Sequence, residues 1–279
     1  MKSKLIICIA FVLAFNLLHG QNKIAGSILD RESSLPIAYV NIGIVGKNVG
    51  TVSGRDGKFN LLIEPQLMND SLLFSCIGFE SLFVKISDIT GNYMIHLKEK
   101  SYPISEVVVK PRRFSEQVFG ITTVSERFSV GFGGRDPNGY EIGLLMKNKK
   151  RAVLKNVTVN ICKSTADSLF FRLNVYDAKK KNNFKNILTE QIYVRVSKEE
   201  ILEGRFKVNL EEKNITIDGD FLVSLEYVMP FPNSTFFFCA DRKLETYLRT
   251  VSQGYWVTVG TQYPVGISLS VVADVENKK

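Results

Sequence analysis

The sequence predicts an all-β chain built as two sandwiches, and three observations predict it. Apolar and polar residues alternate with a period of two over many short runs. Those runs are bounded by Gly, Asn, Asp and Pro, the residues that turns require. Between the halves, from Glu99 to Ser129, the alternation weakens, and Pro103 and Pro111-Arg112-Arg113 interrupt any continuous element. The expected organisation is a targeting segment at 1–20, a first sandwich at 21–110, a linker at 111–139 with room for a strand docked on one of the modules, and a second sandwich at 140–279.

Met1 to Gly20 has the form of a signal peptide. Lys2 and Lys4 make a basic start, and Leu5 to Leu18 is an apolar run too short to serve comfortably as a transmembrane helix. Cleavage is expected after Gly20, leaving Gln21 first. Cys8 lies inside the apolar run with no small residue before it, which argues against lipidation. The 36 basic and 28 acidic residues give a net charge of +8, and the leader's two lysines account for two of those charges. Export argues against nucleic acid as the partner of a basic chain. The runs Lys147 to Arg151 and Lys179 to Lys181 flank apolar strands and read as solvated loop ends.

In the first module Val40, Ile42 and Ile44 share one strand face, as do Phe59, Leu61 and Ile63 one strand on. Asp56-Gly57 between apolar runs supplies the positive φ of a tight hairpin turn. Strands follow at Ser71–Phe79 and Leu82–Ile86. Tyr93, Ile95 and Leu97 then share a face, with His96 on the other. A unit of about 80 residues suffices for one modest sandwich core.

The elements Gly26-Ser27-Ile28-Leu29-Asp30, Leu35-Pro36-Ile37-Ala38, Gly50-Thr51-Val52-Ser53, Asp56-Gly57-Lys58-Phe59 and Ser75-Cys76-Ile77-Gly78-Phe79 occur in order, and Glu106-Val107-Val108-Val109 closes the series. Together they resemble the carboxypeptidase-regulatory-like domain. That resemblance implies a transthyretin-like β-sandwich, common in exported proteins of Bacteroidetes-type bacteria and without peptidase chemistry of its own. Modules of this kind often precede outer-membrane barrels. About 165 residues after the module do not supply a 22-stranded barrel, so no transmembrane barrel is expected.

The second half carries about eight strands by the same alternation. Val157, Val159 and Ile161 form one face. Leu169, Phe171, Leu173 and Val175 form another, with Phe170, Arg172, Asn174 and Tyr176 opposite. Ile192 to Val196, Phe206 to Leu210, Phe221 to Tyr227, Phe236 to Phe238, Tyr255 to Val259 and Ile267 to Ala273 complete the set. One helix signal stands among them: Ser197-Lys198-Glu199-Glu200 is a capping box, and Gly204 stops the helix soon after. Phe171 to Asp177, a long loop, Leu188, and the paired runs Asn214–Ile217 and Asp220–Glu226 resemble the jelly-roll accessory domains of exported bacterial proteins.

Chemistry-bearing residues are sparse. After loss of the leader His96 is the one histidine, and its strand position reads as surface. One histidine and three scattered cysteines do not make a zinc site or a triad. Cys76 reads as a buried thiol. Cys162 and Cys239 are the pair an exporting compartment permits to bond, although spacing alone does not place their Cα atoms. Asp30, Asp56 and Asp136 read as turn acids. A histidine-free hydrolase needs two carboxylates, and Glu226 and Glu245 are its candidates; Glu226, alternating with Leu225 and Tyr227, reads as solvated. Tyr255, Trp256 and Tyr263 are the candidate glycan-stacking residues, near turns at Gly254 and Gly260. The expectation is a non-catalytic exported envelope protein, periplasmic or on the outer membrane or cell surface, with no catalytic, metal or cofactor site. Its expected partner is an envelope protein or a glycan. The alternatives are a glycan-binding accessory protein and a carboxylate-dependent hydrolase.

Overall fold

The computed structural model describes residues 22–101, 113–132, 138–180, 183–229, 234–260 and 262–277. The segment at 1–20 expected as a signal peptide and the Glu106–Val109 motif lie outside the described residues. The chain is built almost wholly of β-strands arranged in two sandwiches.

The first sandwich comprises β1 (Asn22–Asp30), β2 (Asn41–Gly43), β3 (Gly50–Val52), β4 (Lys58–Ile63), β5 (Ser71–Ser75), β6 (Leu82–Lys85) and β7 (Asn92–Leu97). One sheet has the order β4-β1-β7 and the other β3-β2-β5-β6. β1 runs antiparallel to β4 and parallel to β7. Ile24, Ile28, Phe59, Ile63, Ile95 and Leu97 from one sheet meet Ile42, Leu72 and Phe74 from the other in a single core. The alternating positions of the sequence are the buried ones, because successive side chains of a strand point to opposite faces. His96 is exposed.

The Asp56-Gly57 turn is present, with Gly57 at φ +74° and its N–H bonded to Gly54 O. It is a corner rather than a hairpin within one sheet. β3 pairs with β2 while β4 pairs with β1, so the chain changes sheets there.

The second sandwich contains β8 (Phe114–Gly120), β9 (Phe128–Gly131), β10 (Glu141–Met146), β11 (Arg151–Ser164), β12 (Leu169–Asp177), β13 (Lys185–Asn186), β14 (Ile192–Val196), β15 (Arg205–Asn209), β16 (Thr216–Asp218), β17 (Phe221–Tyr227), β18 (Phe236–Asp241), β19 (Thr246–Arg249), β20 (Val257–Thr258), β21 (Gly266–Ile267) and β22 (Leu269–Glu276). One sheet follows β13-β12-β17-β10-β19-β20, with β14 also on β12. The other follows β21-β18-β11-β22-β8, with β15 and β16 on β11 and β9 on β18. Leu144, Phe171, Leu173 and Val223 of the first face Leu154, Val157, Leu269 and Val271 of the second. The capping box is formed: Ser197 Oγ accepts from Glu200 N, Glu200 Oε2 accepts from Ser197 N, and α1 (Lys198–Leu202) follows.

The stretch expected as a linker at 111–139 is corrected by these pairings. β8 lies along β22 in register from Phe114↔Glu276 to Gly120↔Ser270, and β9 pairs with β18. Two strands of that stretch therefore belong to the second sandwich. β8 is an edge strand with no buried position, so its residues carry no apolar alternation to announce it.

Candidate functional site

The site is built on the outer face of the β12-β17-β10-β19 sheet. Alternation places Phe170, Arg172, Asn174 and Tyr176 of β12 on that face, opposite the core-facing Phe171, Leu173 and Val175. Register carries the face across the sheet. Arg172 pairs with Glu226, Asn174 with Ser224, Glu226 with Glu141, and Glu141 with Arg249.

These polar side chains are all buried, with Glu141 and Glu226 at 0% exposure and Arg172 at 2%. The first sandwich lies over them. Arg172 Nε and Nη2 donate to Glu226 Oε2 at 3.0 and 2.8 Å. Its Nη1 donates to Tyr39 O at 2.7 Å and to Gln191 Oε1 at 3.1 Å, and Nη2 also donates to Asn41 Oδ1. One guanidinium thus ties two strands of the second sandwich to the backbone and a side chain of the first. Gln191 Nε2 reaches Cys76 Sγ at 2.9 Å, and Gln253 Nε2 reaches Ser75 Oγ at 2.8 Å. Gly46 N donates to Gln253 O at 3.0 Å. The approach is close enough to require glycine: a Cβ at Gly50 would sit 2.1 Å from Ser252 O.

The second ion pair joins Arg249 to Glu141, with Nε at 2.8 Å and Nη2 at 2.6 Å from Oε2. Glu141 Oε1 accepts from Asn174 Nδ2 and Tyr176 Oη, each at 2.9 Å, and from Ser224 Oγ. Asn174 Nδ2 also donates to Glu226 Oε2 at 3.0 Å, so the two pairs form one network. Glu226 Oε1 has no hydrogen-bond partner among the described residues. Burial, then the Glu141 carboxylate, hold the Tyr176 phenol neutral far above its ordinary range. The Arg249 guanidinium is pushed further toward its charged form: burial opposes the charge, but Glu141 outweighs it.

Apolar clusters seal both ends of the face. At one end Tyr39 and Val52 of the first sandwich meet Val228 and Phe170, with the Tyr39 and Phe170 rings 5.6 Å apart. At the other, Tyr176, Leu222 and Tyr247 pack with Phe184 and Trp256. Between the sandwiches a cleft of about 310 Å³ remains. Its walls include Ser75, Ser81 and Lys100 from the first half and Arg172, Asn186 and Arg249 from the second, and no Asp or Glu is among the residues lining it. Burial pushes the Cys76 thiol in its wall up to about 11.

Several expectations change here. Glu226 is not solvated: the face opposite the core is covered by the other sandwich, and its charge is balanced by Arg172. Glu245 is exposed and accepts from Tyr247 Oη at 3.2 Å, apart from the network, so the carboxylates that share a site are Glu226 and Glu141. Trp256 turns inward, edge-on to Tyr176 and Phe184 and with Arg249 Cζ 5.0 Å from its ring centroid. Tyr255 and Tyr263 are exposed, the latter beneath Arg242, and neither makes a ring contact with Trp256 among the described residues. The three aromatics do not assemble as one platform. The network residues were hidden in the sequence because parity marks a face as outward without showing what covers it. The apolar Phe170, Leu222 and Val228 on that same parity were the signal that the face is buried.

Comparison with known proteins gives one family. The CarboxypepD_reg-like domain family matches residues 24–109. No curated protein matches the sequence. Among solved structures, that of infectious bursal disease virus Gx strain aligns over 91% of this chain at 9% identity and a TM-score of 0.23. The alignment spans 65% of that chain, just under two thirds of its length, and a likeness so slight carries no argument. The five spaced elements of the sequence, the two small sheets they build and the family match agree, and the first sandwich is a carboxypeptidase-regulatory-like domain.

Proposed function

We propose that the chain is a non-catalytic, exported binding module of the cell envelope, and that it seats an acidic group of its protein or glycan partner in the cleft between the two sandwiches. The observation that carries this is Arg249. It lines the cleft and is 8% exposed, and its Nη1 makes no hydrogen bond to the described residues although Nε and Nη2 are held by Glu141. A guanidinium fixed on one edge and open on the other is preorganised for a carboxylate, because its fork geometry matches two oxygens. Lys100 on the rim adds positive charge, and Ser81 and Asn186 add neutral hydrogen-bonding groups. The buried carboxylates favour binding over hydrolysis. Each accepts from an arginine, an arrangement that balances charge and commits both carboxylates to holding the network together.

Calorimetric titration of the full chain tests the reading, with glucuronate and an acetylated acidic dipeptide as probes and glucose and the dipeptide amide as controls. At least one acid should bind in the millimolar range or better and the controls should not. Lys100→Glu, on the exposed rim, should weaken that acid about fivefold, which is ~1 kcal/mol. Equal heats from acids and neutral controls, or an unchanged affinity in Lys100→Glu, would place the ligand elsewhere. Which acid binds separates a glycan partner from a protein partner.

A further inference from the structure

A different part of the second sandwich holds a pair of thiols that the binding reading does not use. β11 and β18 pair antiparallel, with Ile161 opposite Phe238 and Lys163 opposite Phe237, so Cys162 is the extra residue of a β-bulge. The bulge turns its side chain beside the neighbouring strand. Cys162 Sγ lies 2.7 Å from Cys239 Sγ, across 77 residues of chain. Cys162 is half-buried and Cys239 is buried. The segment before β9 closes over them, and Ser125 O accepts from Cys162 Sγ at 3.6 Å. Cys76 is held apart, in the wall of the inter-module cleft beside Gln191.

We propose that Cys162 and Cys239 form a disulfide, which fastens the bulge of β11 to β18. The co-reactant is a disulfide oxidant, either glutathione disulfide or the disulfide of a thiol oxidoreductase. The Cys162 thiolate, the more accessible of the two, attacks one oxidant sulfur and releases the other as a thiol. The Cys239 thiolate then displaces the remaining oxidant sulfur from Cys162. Two protons leave the protein, one S–S bond forms and the oxidant's S–S bond is reduced to two thiols. Burial and the neighbouring Cys162 push the Cys239 thiol up to about 12, which suits it to the second, intramolecular step rather than the first.

The test uses the full chain, purified without reductant and incubated with glutathione disulfide. Remaining thiols are alkylated in denaturant, and the digest is mapped by mass spectrometry. A linked pair of peptides carrying Cys162 and Cys239 is expected, with Cys76 alkylated. Cys76→Ser should keep the linked pair, and Cys162→Ser should lose it and leave Cys239 alkylated. Alkylation of both Cys162 and Cys239 after oxidation, or a bond from either one to Cys76, overturns the proposal.

Discussion

Gly57 is held at φ +74°, where a residue with a Cβ is strained, and a Cβ there would lie 2.6 Å from Ile28 O. Both effects act at the corner where the chain changes sheets. Gly57→Val should therefore lower the stability of the full chain by about 2 kcal/mol or more. Lys58→Ala, at an exposed side chain, should change it by less than about 0.5 kcal/mol. Urea melts of the two variants against the wild type check this, and equal midpoints for Gly57→Val and wild type would contradict it. The residue type and the turn were legible in the sequence; the change of sheet was not, because pairing partners are non-local. Arg172 is the opposite case. Its strand position was legible, but its burial depends on a surface more than a hundred residues away in the chain. Arg172→Met leaves Glu226 as an unpaired buried charge and should cost about 3–5 kcal/mol. The double variant Arg172→Met/Glu226→Leu removes both charges and should recover at least half of that loss in the same melts. A double variant as unstable as the single would mean that the bonds to Tyr39 and Asn41, rather than the ion pair, carry the effect.

At the scale of elements, strands whose sequence alternates announced themselves. β12, β14 and β17 alternate as read, and the capped turn of α1 stands where Ser197 and Glu200 set it. The edge strand β8 did not. β8 reads FSEQVFG and buries no residue, yet it pairs along seven positions of β22. It is held by backbone hydrogen bonds to a neighbour far along the chain, with Phe119 packed against the core beside Phe221, and one such side chain makes no alternating pattern. β20 is likewise only two residues long where a longer strand from Tyr255 to Val259 was expected. Trp256 there serves the cluster around Tyr176 and Tyr247 rather than a strand face. The β11 bulge could not be read from spacing either, since one extra residue shifts parity without changing composition.

For the whole molecule the consequence is that two sandwiches are joined by a face. The first module covers the outward side of one sheet of the second. It closes the polar network over Glu141 and Glu226 and leaves the cleft that holds Arg249 between the modules. A ligand seated there touches both modules, so its affinity depends on their staying docked. Small-angle X-ray scattering of the full-length protein in solution tests this docking most directly. One docked body of this size should give a radius of gyration near roughly 18 Å and a single-peaked distance distribution. A markedly larger radius, with a second peak at the spacing of two separated modules, would contradict the docking and with it the site between them.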